Sequence, residues 1–150
     1  MRIILIVLIL LVVPGMAYIR LAPTTEDAWH QRSDPGPAGD YPGTGSFRAV
    51  RVVEDPEAAL TRLNQIALAT PRTTRFAGRV EDRMITYETR SQIMGFPDYT
   101  TIYIAQGEGE TDLLVLHGRL RFGQADMGVN EARIRDWLDQ LGLTDAGASS

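Results

Sequence analysis

The side chains with the most chemical capacity lie in the second half of the chain and recur at strand spacing. Arg119 and Arg121, two apart in "HGRLRF", project to one side of an extended segment, while Leu120 and Phe122 project to the other. By the same alternation Arg75, Arg79, Glu88, Arg90, Tyr99, Thr101, Tyr103 and His117 share that polar side across neighbouring segments. Guanidinium groups set among tyrosines form charge-assisted bonds to anions and stack on flat rings. Arg75, Arg90, Tyr99, His117, Arg119 and Arg121, with Asp126 at the following corner, are therefore a candidate surface for an anionic or carbohydrate ligand. The plainer alternative is a solvated sheet face whose charges balance, or one covered by the segment that precedes it.

Other chemistries find less support. Asp98 and Asp126 fall at strand ends, and with His117 and a nucleophile such as Ser91 they make a possible hydrolase set. No G-x-S-x-G elbow accompanies them. His30 and His117 are the only histidines and cysteine is absent, so no metal site and no cofactor is expected. All 15 basic residues are arginine. Bidentate anion capture and arginine-favouring codons both account for that, and Schiff-base chemistry is excluded. "GEGETD" is acidic and unsuited to a phosphate. A net charge of -4 and a pI near 5.1 argue against nucleic acid as a partner.

The elements that position these residues are legible from patterning. Met1-Arg2 precedes "IILIVLILLVV", and residues 1–19 read as a membrane anchor or signal peptide. An uncleaved anchor puts the protein in the inner membrane as a single-pass chain with its C-terminal domain in the periplasm. Cleavage near Ala17 releases a secreted periplasmic domain instead. Residues 20–46, rich in Pro, Gly and Asp, read as a tether onto which Trp29 and Tyr41 bring the only large aromatic rings. Residues 47–142 form the domain, and residues 143–150 a disordered tail.

Within the domain "FRAVRVV" is a strand, and Asp55-Pro56-Glu57 opens a helix in which Leu60, Leu63, Ile66 and Ala67 share a face. "TRFAGRV" and "MITYETRS" read as a hairpin in which a two-residue loop would set Phe76 opposite Tyr87 and Arg75 opposite Glu88. "YTTIYIA" and "LLVLHGRLRF" read as a second hairpin. Gly123 and Gly128 permit a tight corner, where Asp126 either bonds nearby amides or pairs with Arg119 or Arg121. Asn130 is the expected N-cap of a last helix, with Val129 and Ile134 as a hydrophobic staple and Gly142 as its stop. The order β-α-β-β-β-β-α predicts a two-layer α+β fold, a mostly antiparallel sheet with two amphipathic helices on one face, behind the N-terminal apolar helix.

The segments "WHQRSDP", "ATPRT", "TYETRSQIMGFPDYTT" and "RFGQADMGVNEARIRDWL" together resemble the bacterial domain-of-unknown-function 1499 family, over roughly Trp29 to Leu141. "GFPDYT" and "RFG..D.GVN" are the most specific pieces. The resemblance implies an N-terminal membrane segment and no established reaction, substrate or cofactor. In that pattern serine often stands near Leu120 and Ala125, so any contact made through those hydroxyls is lost here. The expected function is a non-catalytic envelope domain, tethered to the membrane, that binds an anionic lipid, a glycan or a partner protein through its arginine–tyrosine face. The alternatives are a hydrolase using Asp98, Asp126 and His117, and a purely structural or assembly role. Oligomeric state is left open.

Overall fold

Period-two patterning between Thr73 and Leu120 becomes four consecutive antiparallel strands in the computed structural model, which describes residues 1–144. In chain order the elements are α1 (Arg2–Leu21), α2 (Glu26–Trp29), β1 (Gly39–Gly43), β2 (Ser46–Val52), α3 (Pro56–Ala69), β3 (Thr73–Arg79), β4 (Met84–Arg90), β5 (Pro97–Gln106), β6 (Asp112–Leu120) and α4 (Val129–Leu141). The six strands form one sheet in the order β1-β2-β6-β5-β4-β3, every pair antiparallel. α3 carries the chain from β2 to the far edge, and the meander β3–β6 returns it to pair with β2. The α+β fold with an antiparallel sheet and an apolar N-terminal helix is thus as expected from the patterning.

α3 and α4 cover one face because each offers a single apolar stripe. Asp55 caps α3 by accepting from the Ala58 amide at 2.9 Å, Pro56 occupies the first turn, and Leu60, Leu63, Ile66 and Ala67 are buried. Ile134, Trp137 and Leu138 of α4 meet Ile85, Tyr87, Ile102, Leu114 and Leu116 from the sheet. Trp137 packs edge-on to Tyr87 and donates its indole N–H to Thr70 Oγ1 at 2.8 Å, so its polar atom is satisfied where its ring is fully buried. Gly142, in the left-handed region at φ 81°, ends α4.

Several local expectations change. Asn130 is not the cap of α4: Gly128 holds that position, and Asn130 lies inside the helix, fully buried. Val129 is 51% exposed, so it closes no staple. Asn130 instead rests on β6, where a Cβ on Gly118 would sit 2.7 Å from its Oδ1. In the β3–β4 hairpin a bulge between Arg75 and Ala77 shifts the register. Arg75 therefore stands opposite Tyr87 and Thr74 opposite Glu88. The loop is a 3-10 turn at Val80–Asp82 closed by Arg83 in the left-handed region, longer than the two residues expected.

"GDYPG", assigned to the tether, is the edge strand β1. Its Pro42 is tolerated because an edge strand has one side free of ladder bonds. Besides its ladder with β2, β1 is held by Arg51, which points under the helix layer and is 1% exposed. Its guanidinium bonds Asp40 Oδ1 at 2.7 Å and the carbonyls of Gly39, Leu143 and Thr144 at 3.0–3.3 Å. Leu143 and Thr144, assigned to the disordered tail, are therefore held against the domain; the rest of that tail, 145–150, lies outside the described residues.

Arg51→Ala removes the cation that joins the first strand to the C-terminal residues and leaves Asp40 with Arg135 alone. Loss of one partner from a buried ion pair costs about 3 kcal/mol. The expected outcome is a lower midpoint in urea unfolding, with early loss of amide protection in β1 by hydrogen exchange.

Candidate functional site

The polar face of the sheet gathers Arg90, Arg119, Arg121, Tyr99 and Tyr103 as the alternation requires. The bulge, however, pairs Arg75 with Tyr87 of the helix side and turns Phe76 edge-on to Tyr99, and the face is not open. Residues 22–37 run across it. Trp29 stacks on Tyr99 with ring centroids 4.5 Å apart, and the Arg119 guanidinium lies over the Trp29 ring at 5.2 Å. Arg119 also donates to the Trp29 carbonyl and to Thr101 Oγ1. Arg121 donates to the Pro23 carbonyl at 2.8 Å, to the Ala22 carbonyl and to Thr24 Oγ1. Tyr103 donates to the Ser33 carbonyl at 2.6 Å, His30 Nδ1 bonds Thr86 Oγ1 at 2.9 Å, and Arg32 donates to the Ile104 carbonyl at 3.0 Å. Tyr99, Thr101 and Tyr103 are consequently buried, and β5 is buried on both faces from Pro97 to Ile104. The segment read as a tether is a third layer that consumes the donors of Tyr99, Tyr103, Arg119 and Arg121.

Electrostatics under that layer is lopsided. Arg48 lies over Tyr41 at 4.6 Å, and the Nε atoms of Arg48 and Arg119 are buried without a hydrogen-bond partner among the described residues. His117 sits between them, its Nδ1 3.5 Å from Ser33 Oγ. Burial, then the charges of Arg119 and Arg48, push the imidazole down to about 4, so it is neutral at pH 7. Burial also lowers Arg119, with Tyr103 opposing.

Asp98 and Asp126 belong to the other side of the sheet. Asp98 faces α4 and pairs with Arg133 at 3.5 Å; Arg133 also donates to Thr100 Oγ1 and to Asn130 Oδ1. Burial raises the Asp98 carboxyl, with Arg133 opposing. Asp126 accepts from the Asn130 amide at 3.0 Å, from the Asn130 side chain at 2.7 Å and from the Gly128 amide at 3.1 Å. Partial burial alone would raise it, but these bonds outweigh that and hold it below the usual carboxylate range. Asp126 thus caps α4 instead of pairing with Arg119 or Arg121. The two carboxylates share one polar network beneath the helix, while His117 faces the opposite layer. The sheet divides the trio a hydrolase would need.

A second group of arginines forms where α1 meets the sheet. Arg20, Arg72 and Arg90 line a recess of about 510 Å³ with Thr74, Glu88, Ser91, Gln92 and Gly95. Arg20 donates to the Met94 carbonyl at 3.1 Å and Arg72 to the Arg90 carbonyl at 3.0 Å. Arg90 donates to Glu88 Oε1 at 2.6 Å, to the Gly95 carbonyl at 3.1 Å and to the Arg20 carbonyl at 3.4 Å. Glu88, bound also by Tyr99, is the only acidic residue lining the recess. Gly95 is favoured here because its φ of 68° is left-handed, and a Cβ, 2.7 Å from Arg20 Nε, would push that side chain aside. Of the expected site residues, Arg90 alone reaches this recess. Arg75 is exposed at the β3 edge beside Phe76 and His30. Arg20 and Arg72 were not singled out by sequence, because neither follows a strand alternation: Arg20 ends α1 and Arg72 precedes β3 with φ 57°.

Among the described residues no group of three or more His, Cys, Asp or Glu side chains is placed to hold a metal ion. Fold and site together define an α+β sheet domain, layered by helices on one face and by its own N-terminal segment on the other, behind an apolar helix. The family model described as "Protein of unknown function (DUF1499)" matches residues 24–141, and the chain belongs to that family. The match begins inside the segment that crosses the sheet, and so includes that third layer. The chain matches no curated protein.

Two outcomes test this site. In the unfolded chain His117 binds a proton near its ordinary value of 6.5, whereas in the folded chain it does so only near 4. Between those values the unfolded state holds more protons, so stability falls as pH drops from 6.5 to 4. The loss expected is about 2–3 kcal/mol, at about 1.4 kcal/mol per unit. Urea unfolding against pH checks it, and His117→Gln should flatten that part of the profile. Separately, Arg119→Ala with Arg121→Ala should accelerate hydrogen exchange in residues 22–33 at least tenfold and leave α3 and α4 protected, since bonds to charged groups contribute about 1.5–3 kcal/mol each.

Proposed function

We propose that the protein is a single-pass, membrane-anchored envelope domain, facing the periplasm and without catalysis, that binds an anionic lipid headgroup in the Arg20–Arg72–Arg90 recess. α1 supports the anchor: its 20 residues at about 1.5 Å each match a hydrocarbon core about 30 Å thick, and none of its side chains is buried. A signal sequence has the same length and character, and cleavage near Ala17 would leave Arg20 and its bonds in place.

The observation that carries the reading is the placement of the recess. It lies at the last turn of α1, where lipid phosphates stand if α1 spans a bilayer, and it holds three guanidiniums against one carboxylate. Glu88 is already engaged by Arg90 and Tyr99, which leaves Arg20 and Arg72 without an acidic partner among the described residues. The sheet face first considered for a ligand is occupied by residues 22–37, so the recess replaces it. A glycan or a partner protein lacks any comparable feature in its favour.

The test is native mass spectrometry of the full-length protein released from detergent with added phosphatidylglycerol or phosphatidylcholine. Selective retention of phosphatidylglycerol is expected, and Arg72→Glu should weaken it about tenfold or more, given about 1.5 kcal/mol for a single hydrogen bond to a charged group. Equal retention of both lipids, or no effect of Arg72→Glu, would overturn the proposal.

A further inference from the structure

Two loops meet at the end of the sheet where α1 joins it, and both present apolar side chains to solvent. The β4–β5 loop carries Ile93, 84% exposed, and Met94; the β6–α4 loop carries Met127, 96% exposed, and leads into Val129 at the start of α4. Phe96 and Phe122, at the roots of the two loops, stand 6.5 Å apart and tie them together. Each loop is also bonded to the end of α1. Arg20 donates to the Met94 carbonyl, and Arg121 donates to the Ala22 and Pro23 carbonyls. Outside α1, the Met1 that precedes it and these loops, Val52 and Leu68 are the only exposed large hydrophobic residues among those described, and each is about half exposed.

Charge is segregated along the same axis. The opposite end of the sheet carries exposed Glu54, Asp55, Glu81, Asp82, Glu108 and Glu110 with Arg79 and Arg83 beside them, whereas the end near α1 carries Arg20, Arg72, Arg90 and Arg121. The carboxylates at that end, Glu88, Asp98 and Asp126, are engaged by Arg90, Arg133 and the amides of α4. In a chain of net charge -4 this arrangement keeps the acidic end away from an anionic surface and turns the basic end toward it. Exposed apolar side chains on loop tips, rimmed by arginine and continuous with an apolar helix, match what a bilayer interface accepts.

We propose that the loops Ser91–Phe96 and Phe122–Val129 form a second membrane contact, with Ile93, Met94, Met127 and Val129 inserted at the headgroup–acyl boundary of the bilayer that α1 spans. The inference rests on α1 being a retained anchor and is independent of headgroup selectivity in the recess. The domain then lies against the membrane in one orientation, held by three points instead of swinging on a leash.

The absence of cysteine makes the test direct, since one introduced thiol labels uniquely. Full-length Ile93→Cys, Met127→Cys, Glu108→Cys and Leu8→Cys variants are labelled with an environment-sensitive dye. They are reconstituted in vesicles of phosphatidylcholine, with and without one quarter phosphatidylglycerol. Labels at 8, 93 and 127 should be quenched by acyl-chain nitroxides, and the label at 108 only by aqueous acrylamide. If position 8 is quenched but 93 and 127 behave like 108, the second contact is overturned while the anchor stands. If position 8 is not quenched, anchor and loop contact fall together. Quenching at 93 and 127 in both lipid mixtures supports the contact even where phosphatidylglycerol selectivity is lost.

Discussion

Arg119 lies between an indole ring, a threonine hydroxyl and a backbone carbonyl, and this contact decides what the second face of the sheet can be. A guanidinium has five donors and no acceptor, so covering it requires oxygen atoms. Residues 22–33 supply them largely from the main chain, and Arg121 and Tyr103 are satisfied in the same way. The segment suits this role because Pro23 and Ser33 lie outside any helix and Trp29 ends α2, so their carbonyls are not spent on helical bonds. Without it, Tyr99, Thr101 and Tyr103 would face water, and β5 would lose burial on one of its two sides.

The helix side solves a related problem differently. Asp98, Arg133, Asn130 and Asp126 connect β5, α4 and the corner before it through ion-pair and amide bonds, and Gly118 gives Asn130 the space to approach the sheet. Arg51 likewise joins β1, β2 and the residues after α4. "GFPDYT" and "RFG..D.GVN" therefore encode joints: Gly95 seats Arg20, Asp98 pairs with Arg133, Arg121 grips the N-terminal segment, and Asp126 caps α4. The joints converge at the end of the sheet nearest α1, so the apolar helix and the domain are bonded directly.

Strands and helices were legible wherever one face of an element is apolar. α3 is the clearest case, from its Asp55 cap to its four buried residues, and β4, β5 and β6 follow closely. The alternation also sorted Leu116 toward the helices and His117 and Arg119 away from them. β1 was not legible, because a five-residue edge strand containing proline carries no alternation. The bulge at Phe76 was equally hidden, since one extra residue leaves composition unchanged and moves every partner before it. Arg90 was found among the site residues by strand parity, whereas Arg20 and Arg72 come from a helix end and a turn that meet only in three dimensions.

By itself the sequence determined an apolar N-terminal helix, an antiparallel α+β sheet and an arginine–tyrosine side to that sheet, because hydrophobic periodicity is a local property of neighbouring residues. Tertiary structure alone decided that this side is filled by residues 22–37, that Asp98 and His117 lie on opposite faces, and that a different set of arginines stays accessible beside α1. Those outcomes depend on which distant segment brings carbonyl oxygens within reach of buried guanidiniums, and separation along the chain leaves no periodic trace of that.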